Sequence, residues 1–95
     1  MKIIEQQAHF WELYQDDEHY YLSIAIDLSS VVSCWYVHLT QTEIDQYRKN
    51  GRDIVDDLTH KMVQCVYRGN FSELETRQVS DEIQQAMLIA YQNQG

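Results

Sequence analysis

Between Ala8 and Leu39 the chain alternates apolar and polar residues with a period of two, and this pattern constrains the fold more than any other feature. Such alternation is typical of strands that bury one face. It predicts three antiparallel strands with turns centred on Asp16–Asp17 and Leu28–Ser29, because these turns place apolar residues opposite one another. The predicted inner face consists of Trp11, Leu13, Tyr20, Leu22, Ile24, Ile26, Val31, Trp35, Val37 and Leu39.

After Leu39 the apolar residues recur every three or four positions, which indicates amphipathic helices. Thr40 and Glu43 have the spacing of a capping box, so a long helix is expected over about 41–66. Gly51 falls inside that helix and predicts a kink or a break there.

The last helical pattern opens at Ser80 and predicts a C-terminal helix over about 80–92, after a short helical turn near 72–75. The chain contains no proline, and its 95 residues suffice for one hydrophobic core, so a single domain 1–95 is expected. The predicted fold class is α+β. A three-stranded antiparallel meander (about 8–39) is packed on one face by both main helices, as a two-layer sandwich.

The charge of the chain restricts the partners that it can bind. Acidic residues outnumber basic residues by 15 to 7, and the formal net charge is −8. The acidic excess is largest in residues 1–39, where six acidic residues accompany one lysine. A surface of this sign repels nucleic-acid phosphate and anionic lipid and attracts basic proteins. The expected partner is therefore a basic protein, and neither nucleic acid nor a membrane.

The second face of the predicted sheet is left uncovered if both helices pack on the first. Tyrosine with few lysines matches the composition of protein interface cores, and neighbouring acidic residues accelerate association with a basic partner. The alternative is a solvated sheet face and a solvated acidic turn, since tyrosine is a good strand residue and turns are often acidic. The predicted partner-binding residues are Glu12, Tyr14, Asp16, Asp17, Glu18, His19, Tyr21, Tyr36 and His38.

Neither a metal site nor a catalytic site is predicted. Cys34 and Cys65 lack paired metal-ligand spacing, and two reduced thiols are expected. His19 and His38 lie opposite each other in the predicted register, with Cys34 on the same strand as His38. Surface histidines are nevertheless the preferred interpretation, because no zinc signature is present. The chain also lacks a nucleophile motif and a phosphate-binding loop, so no catalytic residue and no cofactor are predicted.

The expected location is the cytoplasm. No apolar run reaches the length that spans a membrane, and residues 1–7 lack the apolar core of a signal peptide.

The segment Leu39–Leu58, Leu-Thr-Gln-Thr-Glu-Ile-Asp-Gln-Tyr-Arg-Lys-Asn-Gly-Arg-Asp-Ile-Val-Asp-Asp-Leu, resembles a pattern that recurs in small bacterial proteins. Some of those proteins look like immunity proteins of polymorphic or contact-dependent toxin systems. The resemblance implies a cytoplasmic, antitoxin-like protein that neutralises a toxin domain by binding it. It identifies no functional residue.

The leading hypothesis is a non-catalytic module that binds a basic protein through the acidic, tyrosine-bearing sheet face. A homodimer of stacked sheets is the alternative, and a small enzyme or metal protein is a third. The residues that would meet in the stacked dimer are Phe10, Tyr14, Tyr21, Val32 and Tyr36.

Overall fold

Four strands precede four helices in the computed structural model, which describes residues 1–8, 10–28 and 31–93. The strands are β1 (Lys2–Gln7), β2 (Trp11–Asp16), β3 (His19–Leu28) and β4 (Val31–His38). The helices are α1 (Gln41–Asn50), α2 (Arg52–Tyr67), α3 (Ser72–Arg77) and α4 (Asp81–Asn93).

The strands form one antiparallel sheet in the order β1-β2-β3-β4, so the α+β class and the antiparallel meander are confirmed. Both predicted registers are shifted by two residues. Leu22 pairs with Leu13 and with Val37, whereas the predicted turns pair it with Trp11 and Trp35. An even shift keeps the paired residues of β2, β3 and β4 on their predicted faces. The predicted turn residue Ser29 lies outside the described residues.

β1 is a fourth strand that the sequence prediction lacks. Its register against β2 shifts between Ile3 and Glu5, as in a β-bulge. Ile3 packs in the cluster around Tyr14, and Ile4 packs against the core on the opposite face. Because the adjacent residues Ile3 and Ile4 are both apolar and face opposite sides, apolar and polar residues do not alternate in β1. The pattern that predicts β2, β3 and β4 is therefore missing from β1.

Helices α1, α2 and α3 cover the predicted inner face of the sheet. Their buried residues join Trp11, Leu22 and Val37 in the larger core cluster. The capping box is present, because the Thr40 hydroxyl accepts from the Glu43 backbone and the Glu43 carboxylate accepts from the Thr40 N–H. The predicted long helix ends at Asn50 and restarts at Arg52. The intervening Gly51 has φ 86°, which L residues rarely adopt.

Helix α4 covers the other face, and this corrects the predicted arrangement of both helices on one side. Met87 of α4 is fully buried with Tyr14 and Tyr21, which point away from the larger core. Between α3 and α4 the chain passes the β4 edge of the sheet. Gln78 forms a bridge with Val37, and the Val79 N–H donates to the Tyr36 carbonyl at 2.9 Å. Because the chain passes this edge of the sheet between α3 and α4, the two helices lie on opposite faces.

Candidate protein-binding surface

The turn from β2 to β3 presents three carboxylates to solvent at one end of the sheet. Asp16 pairs with His19, and Asp17 has φ 55°, a left-handed conformation that Asp tolerates better than most residues. The Gln15 side-chain amide donates to the Asp17 carbonyl at 3.1 Å and supports the turn. Asp16, Asp17, Glu18 and His19 are all exposed.

Two histidines extend this acidic turn across the sheet. The rings of His19 and Tyr21 are stacked, with centroids 6.3 Å apart and planes inclined by 5°. Tyr21 pairs with His38 on β4, so the three rings follow one another on the face that α4 covers. His38 is exposed like His19. We call the exposed set Asp16, Asp17, Glu18, His19 and His38 the acidic end.

A cleft of about 460 Å³ opens beside the acidic end. Glu18, His19 and His38 line one side of it, and Gln41 at the start of α1 lines another. The remaining wall comes from the segment before α4 and its first turn, including Gln78, Val79, Ser80 and Ile83. Sequence reasoning missed these residues. Their contribution depends on the passage of the chain around β4, which no local sequence signal marks.

The structure buries two of the nine predicted partner-binding residues. Tyr14 is 2% exposed and Tyr21 is 7% exposed, because Met87, Ile83 and Ala90 of α4 pack over them. Glu12 and Tyr36 are half-buried. The prediction that the whole sheet face is open is therefore corrected. Of the nine predicted residues, the exposed ones are those of the acidic end.

Packing also removes the basis for the stacked-sheet dimer. Two of its central rings lie under α4, and Phe10 is on the other side of the sheet. Phe10 packs against the larger core, with its ring 5.2 Å from that of His60 on α2. Val32 and Tyr36 remain exposed and half-buried, respectively.

Burial alters the acid–base properties of this face. Burial raises the pKa of Tyr14 well above its usual range, and the charges of Glu12, Tyr36 and Tyr91 raise it further. Burial also raises the pKa of Tyr21 and of Glu12. For Glu12, a hydrogen bond with Ser23 acts in the opposite direction. These groups stay protonated to higher pH than free side chains.

The stability of the protein is expected to fall above about pH 10. In that range the unfolded chain loses the Tyr14 proton while the folded chain retains it, so the contribution of Tyr14 to the free energy of unfolding decreases as pH rises, by up to about 1.4 kcal/mol per pH unit. Tyr14→Phe should flatten this decline, as urea unfolding between pH 8 and 11 would show. An equally steep decline in Tyr14→Phe would contradict the assignment to Tyr14.

The described residues contain no group of three His, Cys, Asp or Glu side chains placed to hold a metal ion. His38 pairs with Tyr21 and not with His19, which differs from the predicted register of the two histidines. Cys34 and Cys65 are free. Within the described part of the chain, no helix is long and apolar enough to cross a membrane.

Comparisons with known proteins bring no further identification. No protein-family model matches the chain, and the searches found neither a similar curated protein nor a similar solved structure.

Proposed function

We propose that this protein is a non-catalytic binding module that engages a basic protein through its acidic end. The observation that carries the proposal is the grouping of Asp16, Asp17 and Glu18 on one exposed turn, beside an open cleft. The same turn is bounded by His19 and His38, so a partner that covers it also contacts the rings.

The charge of the chain supports a basic partner at this site. The chain carries a net charge of −8, which gives a long-range attraction for a basic partner. Arg48 lies over the Tyr20 ring at 5.6 Å and close enough to Glu18 to be influenced by its charge. Lys2 lines a second cleft together with Asp16 and Asp17. These two cationic side chains offset only part of the three carboxylates, so the turn keeps a negative potential.

The partner class that fits best is a basic toxin domain. The resemblance of Leu39–Leu58 to immunity proteins supports this choice, and the acidic end supplies the charge complementary to such a domain. The protein would then act in the cytoplasm, as an antitoxin that blocks its partner by binding.

Charge reversal at the acidic end tests the proposal. The chain is co-expressed with the proteins whose genes flank its own, and any complex is quantified by titration calorimetry. Asp16→Lys, Asp17→Lys and Glu18→Lys in combination should weaken binding by at least about 100-fold at low salt, because three attractive contacts become repulsive. The wild-type affinity should also fall with added salt.

A matched variant separates the site from the net charge. Asp53, Asp57 and Glu75 are exposed on α2 and α3, and none of them lines the cleft beside the acidic end. Their combined reversal to lysine changes the net charge by the same amount and should leave most of the affinity intact. If the two triple variants lost affinity equally, or if neither lost any, the acidic end would be excluded as the binding site.

A further inference from the structure

The two edges of the sheet differ in how they are protected. Edge strands present unpaired N–H and C=O groups, and proteins usually shield them with charges, bulges or a covering segment. β1 carries Lys2 and Glu5 and has a bulge-like register shift between Ile3 and Glu5. Both devices oppose further strand pairing at that edge.

β4 has neither device along Val31–Trp35. Its register against β3 is continuous, and this stretch contains no charged residue. Gln78 and Val79 pair with Val37 and Tyr36, so they protect only the later half of the strand. Among the described residues, no strand lies beside Val31–Trp35 on its outer side.

Exposed apolar side chains gather at the same place. Val31 is 64% exposed, Val32 is 63% exposed, and Tyr67 at the end of α2 is 62% exposed. The Tyr67 hydroxyl donates to the Asp27 carbonyl at 3.2 Å, and Asp27 pairs with Val32. The three side chains therefore border one end of the β3–β4 pair.

We propose that a second copy of this chain pairs antiparallel with β4, through Val31–Trp35 of both copies. The unprotected stretch is five residues long, so a two-fold axis at Ser33 pairs all of it. Val31 then faces Trp35 of the other copy, and Val32 faces Cys34. Pairs between β-branched and aromatic residues stabilise antiparallel strands, and no charge is placed opposite another charge.

The position and the neutral charge of Val31–Trp35 favour a second copy over a basic protein as the partner. Val31–Trp35 lies at the opposite end of β3 from the acidic turn, so the acidic ends of the two copies stay apart. Five residues from each copy form a small contact compared with the roughly 20–30 residues a side of a standard interface. The dimer is therefore weak, with a dissociation constant of about 0.1 mM.

Analytical ultracentrifugation up to millimolar concentration tests the dimer. The wild-type chain should approach twice its 11.3 kDa mass, and added salt should strengthen association, since it screens repulsion between two chains of charge −8. Val32→Lys should raise the dissociation constant at least about tenfold. Ile89→Lys, at a position 56% exposed on α4, should leave it unchanged.

Cross-linking tests the register. The thiol that Val32→Cys introduces should form a disulfide with Cys34 of the second copy under mild oxidation, in a background with Cys65→Ser. Adding Cys34→Ser should abolish this dimer band. A monomeric wild type at millimolar concentration would overturn the proposal, and so would equal effects of Val32→Lys and Ile89→Lys. The opposite salt dependences distinguish this dimer from the basic-partner complex.

Discussion

Replacing Arg77 by methionine is expected to lower the free energy of unfolding by about 3 kcal/mol. The Arg77 side chain is 7% exposed and pairs with the carboxylates of Glu43 and Glu73. Removing the arginine leaves the mostly buried Glu43 carboxylate without its cationic partner, which is more costly than losing a surface ion pair. Methionine keeps most of the aliphatic volume, so the loss reports on charge rather than on a cavity.

Urea unfolding of the variants measures this loss. Glu43→Gln removes the unpaired charge and, as a glutamine, preserves the capping box with Thr40. The double variant Glu43→Gln with Arg77→Met should therefore be more stable than Arg77→Met alone. If the two are equally destabilised, the buried charge is not the cause. Glu73→Gln should cost less than about 1 kcal/mol, because that carboxylate is largely exposed.

Arg77 also shows what the sequence could not predict. Its position is adjacent to Gln78, where the chain begins to pass around β4, and the ion pair joins α3 to α1 immediately before that passage. In the sequence it is one basic residue near several acidic residues, a pattern equally typical of a solvated helix. The partners of Arg77 are set by tertiary contacts, which local sequence does not reveal.

The strand faces of β2, β3 and β4 were predictable because alternation reports burial directly. Trp11, Leu22 and Val37 are all fully buried on the predicted face, despite the two-residue error in each register. The break at Gly51 was also indicated, since a glycine weakens the interior of a helix and can adopt the positive φ that ends one. Register depends on turn geometry, and neither turn has the Asn-Gly or Asp-Gly signature that fixes it.

The burial of Tyr14 and Tyr21, two of the predicted binding residues, was not predicted for a related reason. Tyrosine on a strand is compatible with solvent, with a partner and with a covering helix, and local sequence does not distinguish these. The acidic turn was placed correctly as an exposed feature, because three consecutive charged residues rarely lie anywhere else. The charged residues of the proposed site could therefore be inferred from the sequence, whereas the role of the aromatic residues could be seen only in the structure.

Tyr14→Ala is expected to lower the free energy of unfolding by about 3–5 kcal/mol, the loss typical of removing a buried aromatic ring. Tyr14 is 2% exposed and forms the smaller core cluster together with Tyr21 and Met87. On an open sheet face the same change would cost less than about 1 kcal/mol. The size of the effect thus reports directly on whether α4 covers this face in solution.

The matched control is His19→Ala on the same face, which should change stability by less than about 0.5 kcal/mol because His19 is exposed. Chemical unfolding at pH 7 gives both values. If Tyr14→Ala were as mild as His19→Ala, α4 would not be packed on the tyrosines, and the sheet face would again be available to a partner. A large loss at Tyr14 alone leaves the acidic end as the exposed part of the predicted site.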